Sequence, residues 1–229
     1  MILRVYMQRC GKNGLSIRHS IQDLQGKELA EGDNQDSGAL VTLRYSGKTV
    51  RFEKKPVKIE KSSFPFPLPI PSKSKKTLGH QAVCQGQPLI RMYTEPVTCG
   101  KTWIFKRNIG ITVYQDAGKT FHCSVVGFPN ETSHYYCLKS AQGETVMVLE
   151  RHSFTDDTYR ATIYLKDPGM LELAMLVCAN EIMEVYFTVE DTVLRDDSAG
   201  HYISLTDAEK SLYDRDFIPA VKALDRIYD

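Results

Sequence analysis

The segment from Met170 to Met183 (MLELAMLVCANEIM) is almost wholly apolar and follows a long series of strand-like runs. Its apolar residues cover nearly every direction of a helical wheel, which predicts a helix that is buried on all sides. A helix of this length spans only about 21 Å, whereas the core of a bilayer is roughly 30 Å thick. The segment is therefore too short to cross a membrane, and we expect it to be buried inside the protein.

Short runs of alternating apolar and polar residues precede this segment and predict β-strands. Hairpin-type turns such as 116–118 and 141–143 separate the runs. This pattern is typical of an antiparallel meander. The predicted strands cover residues 1–10, 15–19, 40–45, 49–52, 89–93, 102–105, 111–114, 121–126, 134–138, 145–150 and 158–165, and a further strand at 185–189 follows the helix.

These elements predict a mainly β fold: a single closed antiparallel barrel, residues 1–190, around a central hydrophobic helix at 170–183. Closure removes the sheet edges, and the lumen gives the helix an apolar lining on all sides. Residues 191–229 are predicted to form an acidic helical C-terminal extension, with helix from about Thr206 to Tyr228. We expect its apolar stripe to pack on the outer wall of the barrel, and a second chain is the alternative cover. The stripe consists of Phe217, Ile218, Val221 and Leu224.

The composition is that of an ordinary globular protein and is uneven only locally. A hydrophobic content of 42%, a charged content of 25% and a formal charge of +1 exclude wholesale disorder and give no bias toward nucleic acid. Residues 48–76 carry nine Lys/Arg against two acids, whereas residues 184–229 carry eleven acids against five bases. Opposite charge therefore predicts attraction between the tail and the basic region, which would make the tail a competitor for an anionic ligand.

The beginning of the chain and its cysteines favour a cytoplasmic protein. Residues 1–10 alternate like a strand and lack the apolar stretch and cleavage site of a signal peptide. The six cysteines include no C-x-x-C pair, so we expect free, buried thiols. The sequon at Asn130 then marks only a polar hairpin turn.

One segment breaks the strand pattern, because it alternates apolar residues with proline from Ser62 to Ser72 (SSFPFPLPIPS). Proline cannot donate to a sheet ladder, so we expect an extended polyproline-like loop. Apolar side chains on such a loop can enter a bilayer interface while flanking lysines meet anionic headgroups, at about 1 kcal/mol per lysine. The alternatives are a loop that caps the barrel mouth with its apolar side chains tucked inward, and a proline-rich ligand for another domain. The candidate membrane or anionic-ligand surface consists of Lys54, Lys55, Lys58, Lys61, Phe64, Phe66, Leu68, Lys73, Lys75 and Lys76.

Catalytic patterns are weak in this chain. The run Asp116–Thr120 (DAGKT) ends like a phosphate-binding loop, but Val113 stands where that motif requires glycine and a strand follows, so we interpret it as a hairpin turn. His122, His134 and His152 lie on successive predicted strands, where they either converge on one face of a sheet or are ordinary strand histidines. No nucleophile elbow is visible, and we predict no catalytic residues, cofactor or metal.

The stretch from Tyr135 to Met183 resembles the closing section of a tubby C-terminal-like domain. The resemblance rests on the order of elements: a strand, a turn glycine at Gly143, the strand 144–150, the link 154–159, a strand to Leu165, and Asp167-Pro168-Gly169 leading into the apolar helix. Within that superfamily the chain is most similar to the LURP-one-related proteins and their small bacterial relatives. The resemblance implies a closed antiparallel barrel of about twelve strands threaded by a hydrophobic helix.

The superfamily includes tubby proteins, which bind phosphoinositides, and phospholipid scramblases, so the resemblance implies a lipid-related or binding role without enzyme activity. No lysine and arginine pair of the tubby type can be placed on named positions, and the acidic tail departs from the simplest relatives. We therefore predict a non-enzymatic intracellular binding module for a membrane surface, an anionic phospholipid headgroup or a protein partner, with a cytoplasmic location that is peripheral at a membrane. The alternative is a hydrolase or metal-dependent enzyme with an unrecognised motif. Nucleic acid is disfavoured because the basic region is interrupted by proline and the net charge is near neutral.

Overall fold

Twelve β-strands form the body of the protein. The computed structural model describes residues 1–10, 16–34, 41–57, 77–102, 105–127, 133–152, 158–191 and 211–225. The strands are β1 (Ile2–Cys10), β2 (Ser16–Gln22), β3 (Glu28–Asn34), β4 (Val41–Tyr45), β5 (Lys48–Val57), β6 (Thr77–Cys84), β7 (Gln87–Thr102), β8 (Phe105–Asp116), β9 (Lys119–Gly127), β10 (His134–Ser140), β11 (Thr145–Arg151) and β12 (Thr158–Leu165).

The strands close into an antiparallel barrel in sequence order, which confirms the predicted mainly β class and the strand number. Each strand pairs with its neighbours in the chain, and β1 also pairs with β12, from Ile2 opposite Tyr164 to Gln8 opposite Thr158. Closure leaves no strand of the sheet with an unpaired edge, which is the physical reason that a chain of short strands favours a barrel.

The two ends of the barrel differ in their connections. At one end, which we call the hairpin end, lie the connections β2–β3, β4–β5, β6–β7, β8–β9 and β10–β11. Three of these are two-residue turns in which both residues have positive φ, as at Ala117 (45°) and Gly118 (82°), and such turns match the twist of the flanking strands. At the other end, which we call the loop end, the connections contain residues 11–15, 35–40, 58–76, 103–104, 128–132 and 153–157, all outside the described residues.

Helix α1 (Leu171–Asp191) follows β12 at the hairpin end. A short 3-10 turn, Pro168–Met170, precedes it, and the Asp167 side chain accepts a hydrogen bond from the Gly169 amide at 2.8 Å. The predicted helix ended at Met183, but α1 continues eight residues further, and the predicted strand 185–189 is wrong because those residues are helical. The β-branched residues there favour a strand locally, yet neither glycine nor proline interrupts the helix from Met170 to Asp191.

One buried cluster joins α1 to the sheet. Residues 173–179 of the helix are all buried and belong to the same hydrophobic cluster as residues from each of the twelve strands. In β1 the members are Leu3, Val5 and Met7, which are alternate residues of the strand. This cluster is the main core of the protein.

A second, smaller cluster lies on strand positions that alternate with those of the main core. Cys137, Val148 and Tyr164 form it together with residues of helix α2 (Phe217–Asp225). Of the predicted tail helix, residues 211–216 are not helical and form turns, whereas residues 217–225 form α2, which packs on β1, β11 and β12. Phe217, Ile218 and Val221 of the predicted apolar stripe are buried, whereas Leu224 is 39% exposed and does not belong to the buried face.

One further local prediction is wrong, and two strands were not predicted. The run 102–105 is not a strand of its own, because Thr102 ends β7 and pairs with Phe105 at the start of β8. Strands β3 and β6 have no counterpart among the predicted strands. The predicted turns at 116–118 and 141–143 are confirmed, the first as the β8–β9 hairpin and the second as the β10–β11 hairpin. The sequon turn near Asn130 lies outside the described residues.

Candidate functional site

The surface predicted from the basic, proline-rich segment lies mainly outside the described residues. Lys54 and Lys55 belong to strand β5, and the other eight residues of the predicted surface lie in the connection between β5 and β6. Those eight residues are Lys58, Lys61, Phe64, Phe66, Leu68, Lys73, Lys75 and Lys76.

The ladder between β5 and β6 fixes where this segment joins the barrel. The two strands pair continuously from Val50 opposite Cys84 to Val57 opposite Thr77. The chain on both sides of the proline-rich run therefore meets the barrel at one point, the last pair of this ladder, at the loop end. Both groups of lysines are within a few residues of that pair in the chain.

The C-terminal segment (residues 211–225) lies on another part of the barrel. In the closed order of twelve strands, β6 is directly opposite β12, on which α2 packs. Helix α2 and the β5–β6 ladder therefore lie on opposite sides of the barrel. The predicted attraction between the tail and the basic region concerns mainly residues outside the described ranges, and it stays a prediction. Apolar packing against Tyr164 and Val148 decides the position of α2.

At its beginning, α1 is anchored to the hairpin end by a carboxylate. The Tyr45 hydroxyl donates a hydrogen bond to Oε1 of Glu172 at 2.6 Å, and the Lys48 ammonium lies 3.0 Å from the same oxygen. The hydrogen bond from Tyr45 and the charge of Lys48 lower the pKa of Glu172. Glu172 is exposed, so this contact orients the helix more than it stabilises the fold.

A second polar group of α1 is deeply buried. The Tyr114 hydroxyl donates to Oε1 of Glu181 at 2.5 Å and accepts from Nδ2 of Asn180 at 2.9 Å. Arg151 donates to the Tyr136 hydroxyl at 3.1 Å, and burial raises the pKa of Tyr136 to about 12. These bonds satisfy polar groups that would otherwise be costly to bury.

The three histidines singled out from the sequence do not converge at one point: His152 follows Arg151, the partner of His134, at the loop end, whereas His122 lies toward the hairpin end. His122 pairs with Lys139 near one end of β10, whereas His134 begins β10 at the other end, opposite Gly127 and Arg151. Successive side chains of a strand lie on opposite faces of the sheet. Phe121 and Cys123 belong to the main core, so His122 lies on the outer face. His134 shares the inner face with Tyr136 and Leu138. Within the described ranges, no group of three or more His, Cys, Asp or Glu is placed to hold a metal ion.

The predicted free thiols are confirmed at Cys84, Cys123, Cys137 and Cys178. Cys137 lies beneath α2, and burial raises its pKa to about 12. Cys178 lies in the main core, where burial also raises its pKa. Both thiols are therefore protonated and behave as small apolar side chains.

A surface cleft of about 1,100 Å³ lies at the hairpin end. The β8–β9 hairpin, the β10–β11 hairpin, the link from β12 to α1 and the C-terminal segment surround it. Three lysines from three different elements line it, Lys119, Lys139 and Lys166. Sequence reasoning considered Lys119 only as part of the run 116–120 and did not single out the other two. The order of the hairpins in the sequence could have identified them, because it places all three lysines at one end of the barrel.

Comparison with known protein families, with curated proteins and with solved structures returns no match to this chain. Among the helices of the described residues, none combines the length and apolar character that a bilayer crossing requires.

Proposed function

We propose that the protein is a non-enzymatic binding module of the tubby-like type, whose barrel lumen is occupied by α1 and which attaches peripherally to an anionic membrane surface in the cytoplasm. Burial of residues 173–181 supports a filled lumen, because residues 173–179 belong to one buried cluster with residues of all twelve strands and close packing leaves little room there for a ligand. Binding must then occur on the outside or at the ends of the barrel.

The observation that carries the proposal is the pairing of Val57 with Thr77. It brings the two basic flanks of the proline-rich segment to one point at the loop end. Seven lysines then stand close to that point in the chain, and each contributes about 1 kcal/mol when it lies near an anionic membrane. The apolar residues between the flanks, Phe64, Phe66 and Leu68, supply the side chains that enter the interface.

Vesicle cosedimentation tests this directly. The full chain is expected to sediment with phosphatidylcholine vesicles that contain phosphatidylserine, and not with vesicles of phosphatidylcholine alone. Changing Lys58, Lys61, Lys73 and Lys75 to Gln should weaken binding by roughly two to three orders of magnitude, from about 1 kcal/mol per charge.

The matched control removes the same number of lysines from the hairpin end. Lys27, Lys48, Lys119 and Lys166 are all exposed there, and their substitution by Gln should leave vesicle binding unchanged. Equal losses in both variants would show that net charge alone drives the association, and the assignment to the loop end would then be wrong.

A further variant separates apolar insertion from charge. Phe64→Ser together with Phe66→Ser should weaken vesicle binding to an extent that does not depend on salt, because apolar transfer is not screened. Binding that is unaffected by these changes would remove the apolar residues from the proposal. Stoichiometric zinc binding or turnover of a substrate by the unaltered chain would overturn the non-enzymatic assignment.

A further inference from the structure

The cleft at the hairpin end has the size and lining of a ligand site. Its volume of about 1,100 Å³ is at the upper limit of the range of small-molecule pockets. A smaller depression of about 420 Å³ lies across the β8–β9 hairpin, shares Lys119 with the cleft and adds Arg91 to the same region. The proposed membrane surface lies at the opposite end of the barrel, so the two features are separate.

Two lysines at the rim of the cleft have no ion-pair partner among the described residues. Lys119 and Lys166 are exposed, and neither forms an ion pair with any residue that the structure describes. They come from different elements, since Lys119 begins β9 and Lys166 follows β12. Both ammonium groups remain available to an anion that enters the cleft.

A third lysine is buried at the base of the cleft. Lys139 is only 6% exposed, and its ammonium donates a hydrogen bond to the Ser211 carbonyl at 3.1 Å. Burial lowers its pKa, while the charge of Asp214 acts in the opposite direction. Burial of an ammonium carries a desolvation cost, which the Ser211 carbonyl and Asp214 offset in part and which an anionic group in the cleft would reduce further.

Two of the three acids in the lining have local partners. Asp167 accepts from the Gly169 amide at 2.8 Å, and Asp214 accepts from the Asp216 amide at 3.1 Å. Glu144 lies beside the β10–β11 hairpin and is exposed. These bonds fix the positions of two carboxylates but leave their negative charges, so the lining carries three acids beside its three lysines.

Apolar side chains form part of the lining. Val146 and Met170 are half-buried, and Phe121 and Phe217 also line the cleft with little exposure. A wall of this kind favours a ligand with an apolar body and does not favour a bare inorganic ion.

We propose that this cleft binds a small organic anion, with an aromatic or aliphatic body against Val146 and Met170 and a carboxylate, sulfonate or phosphate group against Lys119 and Lys166. Cations at the rim and an apolar wall below them match the two parts of such a molecule.

Anilinonaphthalene sulfonate is a suitable probe, because it joins an aromatic body to a sulfonate and fluoresces when its surroundings become apolar. Titration of the full chain should give saturable binding to a single site. The double variant Lys119→Gln and Lys166→Gln should weaken that binding roughly tenfold or more. Lys27→Gln with Arg51→Gln removes two exposed cations that do not line the cleft and should leave it unchanged.

Two further measurements make the result decisive. Met170→Gln should weaken binding of the probe without altering the salt dependence of that binding. The thermal melt of every variant should match that of the parent. Absence of probe binding, binding that does not saturate, or equal affinity in the Lys119/Lys166 variant and its control would each overturn the proposal. Vesicle binding should be unchanged in the Lys119/Lys166 variant, so failure of this proposal is distinguishable from failure of the membrane proposal.

Discussion

The hydroxyl of Tyr114 donates a hydrogen bond to Oε1 of Glu181 at 2.5 Å and joins strand β8 to helix α1 across sixty-seven positions of sequence. Both residues are buried, with exposures of 0% and 2%. Asn180, next to Glu181 in the helix, donates to the same tyrosine oxygen at 2.9 Å. A single phenol thus connects the two polar side chains that interrupt an otherwise apolar stretch of helix.

The first prediction concerns this phenol. Tyr114→Phe keeps the ring but leaves a buried carboxylate and a buried amide without one of their partners, so we expect a loss of about 2–3 kcal/mol in the free energy of unfolding. Tyr45→Phe is the matched control, because its partner Glu172 is exposed to water, and it should cost less than about 1 kcal/mol. Urea unfolding measures both. Equal losses of stability in the two variants would mean that the buried Tyr114 hydrogen bonds contribute no more than the Tyr45 hydrogen bond.

The second prediction tests whether α1 is central to the fold. Leu176 is 4% exposed in the main core, and Leu176→Asp would place an unpaired charge there at a cost of several kcal/mol, enough to unfold a marginally stable domain. Leu224 on α2 is 39% exposed, so Leu224→Asp should change the stability by less than about 0.5 kcal/mol. Circular dichroism melts compare the two. A Leu176→Asp chain with the parental melting temperature would show that α1 can be removed from the core.

The barrel and its closing strands could be predicted because their pattern is local. In β1 and β9–β12 an apolar residue occurs at nearly every second position, and that alternation reports the inner face of a sheet. The apolar segment after Leu165 predicted a buried helix for the same reason. Its end was missed because Val185 and Val189 favour a strand by propensity, while the absence of a helix-breaking residue was the better signal.

Strand β3 could not be predicted because its inner positions carry small residues. Ala30 and Gly32 replace the large apolar side chains that mark the other strands, and the intervening positions are acidic. Only the structure shows that His19 of β2 occupies the space above Gly32. The cleft lysines were missed for a related reason, since Lys119, Lys139 and Lys166 are far apart in sequence and only the order of hairpins brings them together.

The third prediction follows from the packing of His19 on Gly32. A Cβ atom added at Gly32 would lie 2.1 Å from Cε1 of His19 and 2.9 Å from the Thr42 carbonyl oxygen. Gly32→Ala should therefore destabilise the protein by about 1–3 kcal/mol through overpacking. The double variant His19→Ala and Gly32→Ala should recover part of this loss relative to the sum of the single variants. Strictly additive losses would show that the ring and the glycine do not share this space.

The fourth prediction is a dependence of stability on pH. Burial lowers the pKa of His19 to about 4 from an ordinary value of 6.5, against a smaller opposite effect of Asp33. Below pH 6.5 the unfolded chain binds a proton that the folded protein excludes, so stability should fall from that pH down to about 4 and then level off. The decrease in the free energy of unfolding that is attributable to His19 is about 3 kcal/mol.

Urea unfolding at a series of pH values tests this dependence. His19→Asn should reduce the loss of stability between pH 6.5 and about pH 4. The loss that remains is the contribution of His122, whose pKa is also lowered by burial. An unchanged slope in His19→Asn would contradict the assignment. The absolute stability of that variant is a separate quantity, and only its slope with pH decides the question.

The last prediction concerns the C-terminal segment and the thiol beneath it. Helix α2 covers Cys137 and Tyr164 with the side chains of Phe217, Ile218 and Val221. Asp225 of the same helix lies 3.6 Å from the N-terminal ammonium. Deletion of residues 204–229 should leave the barrel folded, because the main core does not include α2, but it should expose an apolar patch and lower the solubility.

Iodoacetamide labelling read by mass spectrometry locates the effect. Cys137, with its pKa raised to about 12 by burial, should become labelled only in the truncated chain, whereas Cys178 in the main core should stay unlabelled in both. Vesicle binding by the truncated chain should be unchanged, since α2 and the β5–β6 ladder lie on opposite sides of the barrel. Labelling of Cys178 would show that the deletion unfolds the barrel, and weaker vesicle binding with Cys178 still protected would place the tail within the membrane site.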